Sequence, residues 1–376
     1  MSRTSPARCR GCHSTALETV LDLGLAPAAD HFPPADSVAT ADESAHPLRM
    51  DLCLECGLAQ LAEDDTQAEE PRGVEPLALR LQAAEAVRRV AESGWMRGAT
   101  VREFPSPHGG SWLPLLEEYG FRPAEAADVV LDSFGIMHDA DQRAALEQRR
   151  DATAPGGVLL LQYHSLLAVV AQGHWNMLRH GHFGYYSLTA LRRLLADVGM
   201  RLAAAWEFDL YGGTVLLAAV HQDDARAIAV DPVATAILKR EREFGITRPG
   251  VVGRLARAAQ IQARALRDRL EDAHARGRSV YAYGAPSRAV ALLALAGVTR
   301  RLLPAVADAA PSKHGRRMPG TDIPIVSPDE LVASDPDDVI LTLPDLFDEV
   351  SAQYPQLAGR WRLDWTELAP TLARTV

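Results

Sequence analysis

The cysteines constrain this chain more than any other feature. All four, Cys9, Cys12, Cys53 and Cys56, fall in the first 56 of 376 residues, as "CRGC" and "CLEC". Two thiolates at C-x-x-C spacing clasp one side of a tetrahedral Zn²⁺, and a second pair completes it. Two disulfides or buried free thiols are the other readings, and a reducing cytosol disfavours the disulfides. Four protein ligands leave no position for water. The metal is therefore expected to hold a small module, residues 1–65, together rather than to do chemistry.

Beyond that module the chain is long enough for two more domains. Its formal charge of −10 argues against nucleic acid or an anionic membrane as partner, since both select a basic face. No apolar run approaches the roughly 18–20 residues of a membrane span, and "MSRTSPARCRGC" has no apolar stretch after its arginines. A soluble, cytoplasmic protein is expected.

The polar stretch "EDDTQAEEPRG" reads as a linker, and "LALRLQAAEAVRRVAESGW" as a helix. Strand and helix signals then alternate: "ATVREF", "SWLPLLEEYG", "ADVVLDSF", "DADQRAALEQRRDAT", "PGGVLLLQYH", "SLTALRRLLADVGM". Such alternation implies an open α/β sheet over residues 75–222. A long helical region broken near "GITRPG" opens a smaller α/β unit, residues 233–376, in which "RSVYAYGAPSRAVALLALAGV" is strand, tight loop and helix.

Three groups of segments carry a resemblance. "CRGCHSTALETVLDLGLAPAADHF…CLECGLAQL" is one; "HFGYYSLTALRRLL" with "YGGTVLLAAV" is another; "YAYGAPSRAVALL" with "DAAPSKHGRRMPGTDIPI" is the third. Together they make the chain similar, over nearly its whole length, to the sugar C-methyltransferase family of deoxysugar and natural-product biosynthesis. The resemblance implies a zinc-binding module, a Rossmann-like S-adenosylmethionine (SAM) domain and a smaller C-terminal Rossmann-like α/β domain. It also implies a dTDP-linked 4-keto-6-deoxysugar substrate. A base removes the proton from the carbon beside the ketone, and the carbanion attacks the methyl of SAM.

The methyl-donor half departs from the family. Where its first SAM loop reads about E-x-G-S-N-D-G, this chain has Glu103, Phe104, Pro105, Ser106, Pro107, His108 and Gly109. Proline fixes φ and removes a backbone donor at two positions of a loop that needs both. Glu103, Gly109 and Gly110 survive as candidate cofactor contacts, and His138 matches another family histidine near the cofactor. After "LPLLEEYGFRPAEAADVV" roughly one or two strand–helix units of the family are missing, including the acidic strand end that holds the ribose. "AEDDTQAEEPRGVEP" stands in place of a tyrosine-rich segment. The central domain is thus expected to be truncated, and SAM binding is in doubt.

The proton-abstraction half keeps more. The family signature, close to Y-H-E-H-F-S-Y, reads "RHGHFGY" here. His182 aligns with the family's general base, and an imidazole is suited to moving protons near neutral pH. His180 and Arg179 are its candidate companions, with Gly181 where the family has glutamate. A structural donor in a loop is the bland reading of His182, and a metal pair the remote one. Tyr211 replaces the histidine that usually precedes Gly-Gly-Ser/Thr.

In the C-terminal domain, Tyr283, Gly284, Ser287 and Arg288 lie at a strand-to-helix turn whose free N–H groups suit an anion. Arg288 stands for the family's lysine. Lys313, Arg316 and Arg317 add positive charge for a diphosphate, or form a solvated face; a tight packing turn is the plain reading of Gly284, and Asp308 ends a strand. Three readings follow. The first is a ketosugar enzyme that uses only the deprotonation half, an epimerase or isomerase. The second is a SAM-dependent C-methyltransferase with a remodelled cofactor site. The third is a non-catalytic auxiliary that binds another pathway enzyme.

Overall fold

The computed structural model describes residues 7–66, 75–106, 110–227 and 231–363. The N-terminal module is an antiparallel sheet of β1 (Leu17–Ala26), β2 (His46–Cys53) and β3 (Ala59–Leu61). Its fourth strand, Gly184–Tyr185 (β8), comes from the next domain and pairs with β3, Ala59 opposite Tyr185 and Gln60 opposite Gly184. Helix and strand thus alternate as expected, but this pairing crosses the boundary between the first two modules.

The central sheet has the order β5-β4-β6-β7-β10-β9. Its strands are β4 (Thr100–Phe104), β5 (Arg122–Pro123), β6 (Ala127–Ser133), β7 (Thr153–His164), β9 (Met200–Phe208) and β10 (Thr214–His221). The first four are parallel, and β10 runs antiparallel to both its neighbours. Period-2 alternation splits β7 between two cores. Leu160 faces α1 (Leu77–Glu92) with Val87, Val90 and Val101. Leu159 and Leu161 face α3 (Gln142–Ala152), α5 (Leu188–Asp197) and α6 (Pro232–Phe244), and Cys9, Cys53 and Cys56 share that second core. Among the described residues the two-residue β5 is the one strand beyond β4.

The C-terminal sheet is wholly parallel, in the order β13-β12-β11-β14-β15. Its strands are β11 (Val280–Tyr283), β12 (Val306–Ala307), β13 (Ile325–Val326), β14 (Asp338–Leu341) and β15 (Trp361–Arg362). The helical region before it divides into α6, the short α7 (Pro249–Val252) and α8 (Arg254–Ala275), and α9 (Ser287–Leu295) follows β11. Leu255, Ala259, Leu266 and Leu270 of α8 share one core with Leu21, Leu48 and Met50 of the N-terminal module. No helix among the described residues is long and apolar enough to cross a membrane.

A buried cation fastens the first module to the last. Arg317, 1% exposed, gives Nη1 to Glu43 Oε2 at 2.7 Å and Nη2 to Oε1 at 2.5 Å. It also donates to the carbonyls of Ser37 and Thr321. Arg317→Met is expected to cost about 3–5 kcal/mol, because the guanidinium leaves Glu43 and two carbonyls behind. The Arg317 hydrogen bond holds Glu43 below its ordinary range. This contribution is therefore complete above about pH 4.3, the value of a free glutamate, and fades as pH falls through the lower folded value. Urea unfolding of both proteins at pH 7 and at pH 4 measures it: the difference between them should shrink at the lower pH.

Candidate functional site

The four cysteine sulfurs all lie within 4.8 Å of one another. Cys9 Sγ is 3.6 Å from Cys56 Sγ, and Cys12 Sγ is 3.6 Å from Cys53 Sγ. Ligands about 2.3 Å from a tetrahedral zinc stand about 3.8 Å apart, so the set fits that metal. Backbone N–H groups of Gly11 and Cys12 point at Cys9 Sγ, a second shell suited to a thiolate. Hydrogen bonding from Cys56 pulls Cys9 down to about 5. All four positions expected to bind metal meet here.

In an open α/β sheet, ligands sit where strand order reverses, outside the carboxyl ends of the strands. Here that point lies between β4 and β6, and it is closed. Glu103 at the end of β4 accepts from the backbone N–H of Trp112 at 2.7 Å and from Ser111 Oγ at 2.5 Å. Its carboxylate thereby holds the entry to α2 (Leu113–Glu118). The carbonyl of Pro105 packs on Gly135, after β6, so closely that a Cβ there would lie 2.9 Å from it. Gly110 adopts φ +80°, and a Cβ on it would meet Glu75 Oε1 at 2.0 Å. The crevice between Glu75, Glu103, Phe104, Trp112 and Phe134 has room for about one water. Pro107, His108 and Gly109 lie outside the described residues.

The signature loop is fastened to the zinc module. Arg179, buried, donates to both carboxylate oxygens of Asp30 at 2.9 and 3.2 Å. His180 Nε2 lies 3.2 Å from the Pro47 carbonyl, and the Gly181 N–H donates to Asp64 at 2.7 Å. His182 is 3% exposed, with both ring nitrogens shielded from solvent. Its ring sits edge-on to His138 at 4.6 Å and tilted against Tyr185 at 6.4 Å. The structure thus joins His182 to His138, while Arg179 and His180 turn away toward the first module.

The C-terminal candidates separate likewise. Tyr283 is core, packed on Tyr354 and Trp361. Gly284 has φ +92° and takes a close approach from Thr342. Ser287 opens α9 and is buried. Lys313 points inward: its Nζ donates to Ala285 O at 2.8 Å, lies 3.7 Å from Asp308 and rests over the Phe32 ring. Arg316 donates to the carbonyls of Phe32 and Ser312. The basic block therefore joins modules within the fold. Arg288 differs: it gives Nη2 to Thr342 O at 3.1 Å, its Nε has no hydrogen-bond partner, and it lines a groove.

That groove, about 150 Å³, runs between the two Rossmann-like domains and is lined by Gln172, His174, Asn176, Tyr211, Arg288 and Asp345. From one side come segments at the carboxyl end of β7, since Thr214 at the start of β10 pairs with His164. From the other come the turns after β11 and β14. The carboxyl edges of both sheets face each other across it. Burial pushes the nearby histidines down, His138 and His174 to about 4 and His164 to about 3, and the positive charge of Arg288 adds to the effect on His164 and His174. His164, stacked on Phe134 at 4.4 Å, and His174 escaped the reading of the sequence. His164 ends the apolar run "LLLQYH" at a carboxyl edge, a signal that was available. Nothing local marks His174.

Two tests follow. Cys56→Ser is expected to drop the protein from about one bound zinc per chain to little or none, and to lower its melting temperature, read by metal analysis and calorimetry. The unfolded chain binds protons on His138, His164 and His174 near pH 6.5. The folded chain refuses them down to about 4 or 3, so it holds fewer protons in that window and stability falls as pH drops through it. His164→Leu should flatten the fall in melting temperature between pH 7 and pH 5.

Family models match the chain in tandem. A putative zinc-binding domain covers residues 9–69, a methyltransferase domain 62–205 and a C-methyltransferase C-terminal domain 209–362. The C-methyltransferase NovU of Streptomyces niveus is 28% identical over 206 residues, 55% of this chain and 49% of NovU. The match thus spans about half the length of that relative. Among solved structures, the magnesium protoporphyrin IX methyltransferase of Synechocystis PCC 6803 aligns over 39% of this chain and 84% of its own, with 13% identity and a TM-score of 0.29. A SAM-dependent methyltransferase of Thermotoga maritima, a possible histamine N-methyltransferase, aligns over 39% and 92%, with 14% identity and a TM-score of 0.30. From residue 9 to residue 362 the chain thus carries, one after another, the zinc-binding, methyltransferase and C-terminal domains of the C-methyltransferase family models.

Proposed function

We propose that this protein acts on a dTDP-linked keto-deoxysugar by taking the proton from the carbon beside the ketone, as an epimerase or isomerase does, without ordinary use of SAM. One observation carries the reading: the crevice where a Rossmann-like methyltransferase would hold its cofactor is filled by the protein's own groups, while a polar groove stays open between the two domains. Glu103, which the chain keeps from the family, and the carbonyl of Pro105, where it departs, both make these contacts. Deprotonation needs a neutral base and a group that steadies the enolate oxygen. The groove offers both kinds, histidine beside arginine and tyrosine.

SAM-dependent C-methylation is the second reading, favoured by the methyltransferase domain matched over residues 62–205 and by the likeness to NovU. Calorimetry with SAM and incubation of a dTDP-linked 4-keto-6-deoxyhexose in D₂O separate the two. The expected results are SAM binding weaker than about 1 mM (about −4 kcal/mol) and deuterium entering beside the ketone. Micromolar SAM binding with methylated product would establish the second reading instead.

A further inference from the structure

We infer that His174 is the proton-transfer residue of this site and that Tyr211 and Arg288 hold the ketone oxygen. The assignment rests on the deprotonation reading above and deepens it by replacing His182 as the base. His182 has both ring nitrogens shielded from solvent. His174 lines the open groove, and its imidazole has no hydrogen-bond partner among the described residues.

The chain around His174 is held firmly while the ring is left available. Gly173, at φ +68°, ends α4 (Leu166–Gln172) and turns the backbone. The His174 N–H donates to Val169 O at 2.9 Å. Gln262 of α8 grips both neighbours, donating to Gly173 O at 3.0 Å and accepting from Trp175 Nε1 at 2.8 Å. Asn176 Nδ2 donates to the carbonyl of Arg288 at 3.3 Å. Gly212, at φ +78°, lets the ring pack close, since a Cβ there would meet Gln172 Oε1 at 2.5 Å and His174 Cε1 at 3.0 Å. A precisely placed side chain without a structural partner suits a substrate contact.

Tyr211 supplies the second observation. It sits at φ 53°, ψ 34°, a left-handed conformation that costs a residue with a Cβ free energy. Asp345 of the C-terminal domain keeps it there, accepting its N–H at 3.1 Å. The strain puts the tyrosine ring between His164 and the groove. Arg288 completes the group, its Nε shielded and lacking a partner. At about 150 Å³ the groove is smaller than the roughly 300–1,000 Å³ of sites that enclose a whole ligand, so it takes the sugar ring and leaves the nucleotide outside.

The step balances. The neutral imidazole of His174 takes the proton from the carbon beside the ketone. The C–H electron pair becomes the enolate double bond, and the carbonyl pair moves onto oxygen, facing Arg288 and the Tyr211 hydroxyl. Burial leaves His174 unprotonated at neutral pH, ready to accept. Negative charge on the enolate then stabilises the imidazolium. Return of the proton from the His174 imidazolium to the same face restores the ketone with the centre retained, and delivery from a solvent water on the opposite face inverts it, the imidazolium then losing its proton to solvent.

The test is deuterium uptake from D₂O into a dTDP-linked 4-keto-6-deoxyhexose by the wild type, His174→Gln, Tyr211→Phe and His182→Gln. Melting curves and calorimetry of sugar binding accompany each protein. His174→Gln should lose at least about a hundredfold in exchange rate and Tyr211→Phe at least about tenfold, with sugar affinity within about threefold of wild type. Exchange by folded His174→Gln within about threefold of wild type would overturn the assignment and leave the functional reading standing, as would loss of exchange in His182→Gln alone. Should His174→Gln fail to fold, Tyr211→Phe decides, and a wild-type rate there counts against the proposal. No exchange by the wild type removes the functional reading itself and this assignment with it.

Discussion

The N-terminal module organises the rest of the molecule, and the four sulfurs around one point organise that module. From the two cysteine knuckles hang β1, β2 and β3, and this small sheet reaches into both larger domains. It pairs β3 with β8, holds Arg179 through Asp30 and holds Arg317 through Glu43. Sulfur ligation therefore does more than stabilise a knuckle. The module's sheet is tied by these ion pairs to both Rossmann-like units, and it shares a core with α8.

At the central sheet the competition is between a ligand and the protein's own atoms. A cofactor crevice needs backbone N–H groups facing empty space at a helix start. Here Glu103 satisfies the N–H at the start of α2, and Pro105 offers a carbonyl in place of a donor. These contacts occupy part of the crevice with the protein's own groups. The opposite side of the same edge keeps unsatisfied polar atoms, which is where binding energy remains to be gained.

Much of this was legible in the chain of letters, for local reasons. Cysteine spacing and alternating apolar runs act over a few residues, and each led to the matching feature. Contacts between distant segments were not legible. Lys313, Arg316 and Arg317 read as a diphosphate clamp or a solvated face because a sequence shows charge and not direction; their partners, Asp308, Phe32 and Glu43, lie mostly in another module. Arg179 finds Asp30 across 149 residues. His174 follows an ordinary helix end, and only the fold brings Tyr211 and Arg288 to it. The strain at Tyr211 depends on Asp345 in a different domain, which no local pattern records.

The two-residue strand β5 has a consequence for the solubility of so shortened a sheet. Removing strands from the middle of a parallel sheet bares an edge, and bare edges recruit other chains. Here the new border is Arg122 and Pro123, both exposed. A cation and an imino acid without an N–H are poor templates for another strand. An edge that ends in these two residues offers little for another chain's strand to pair with.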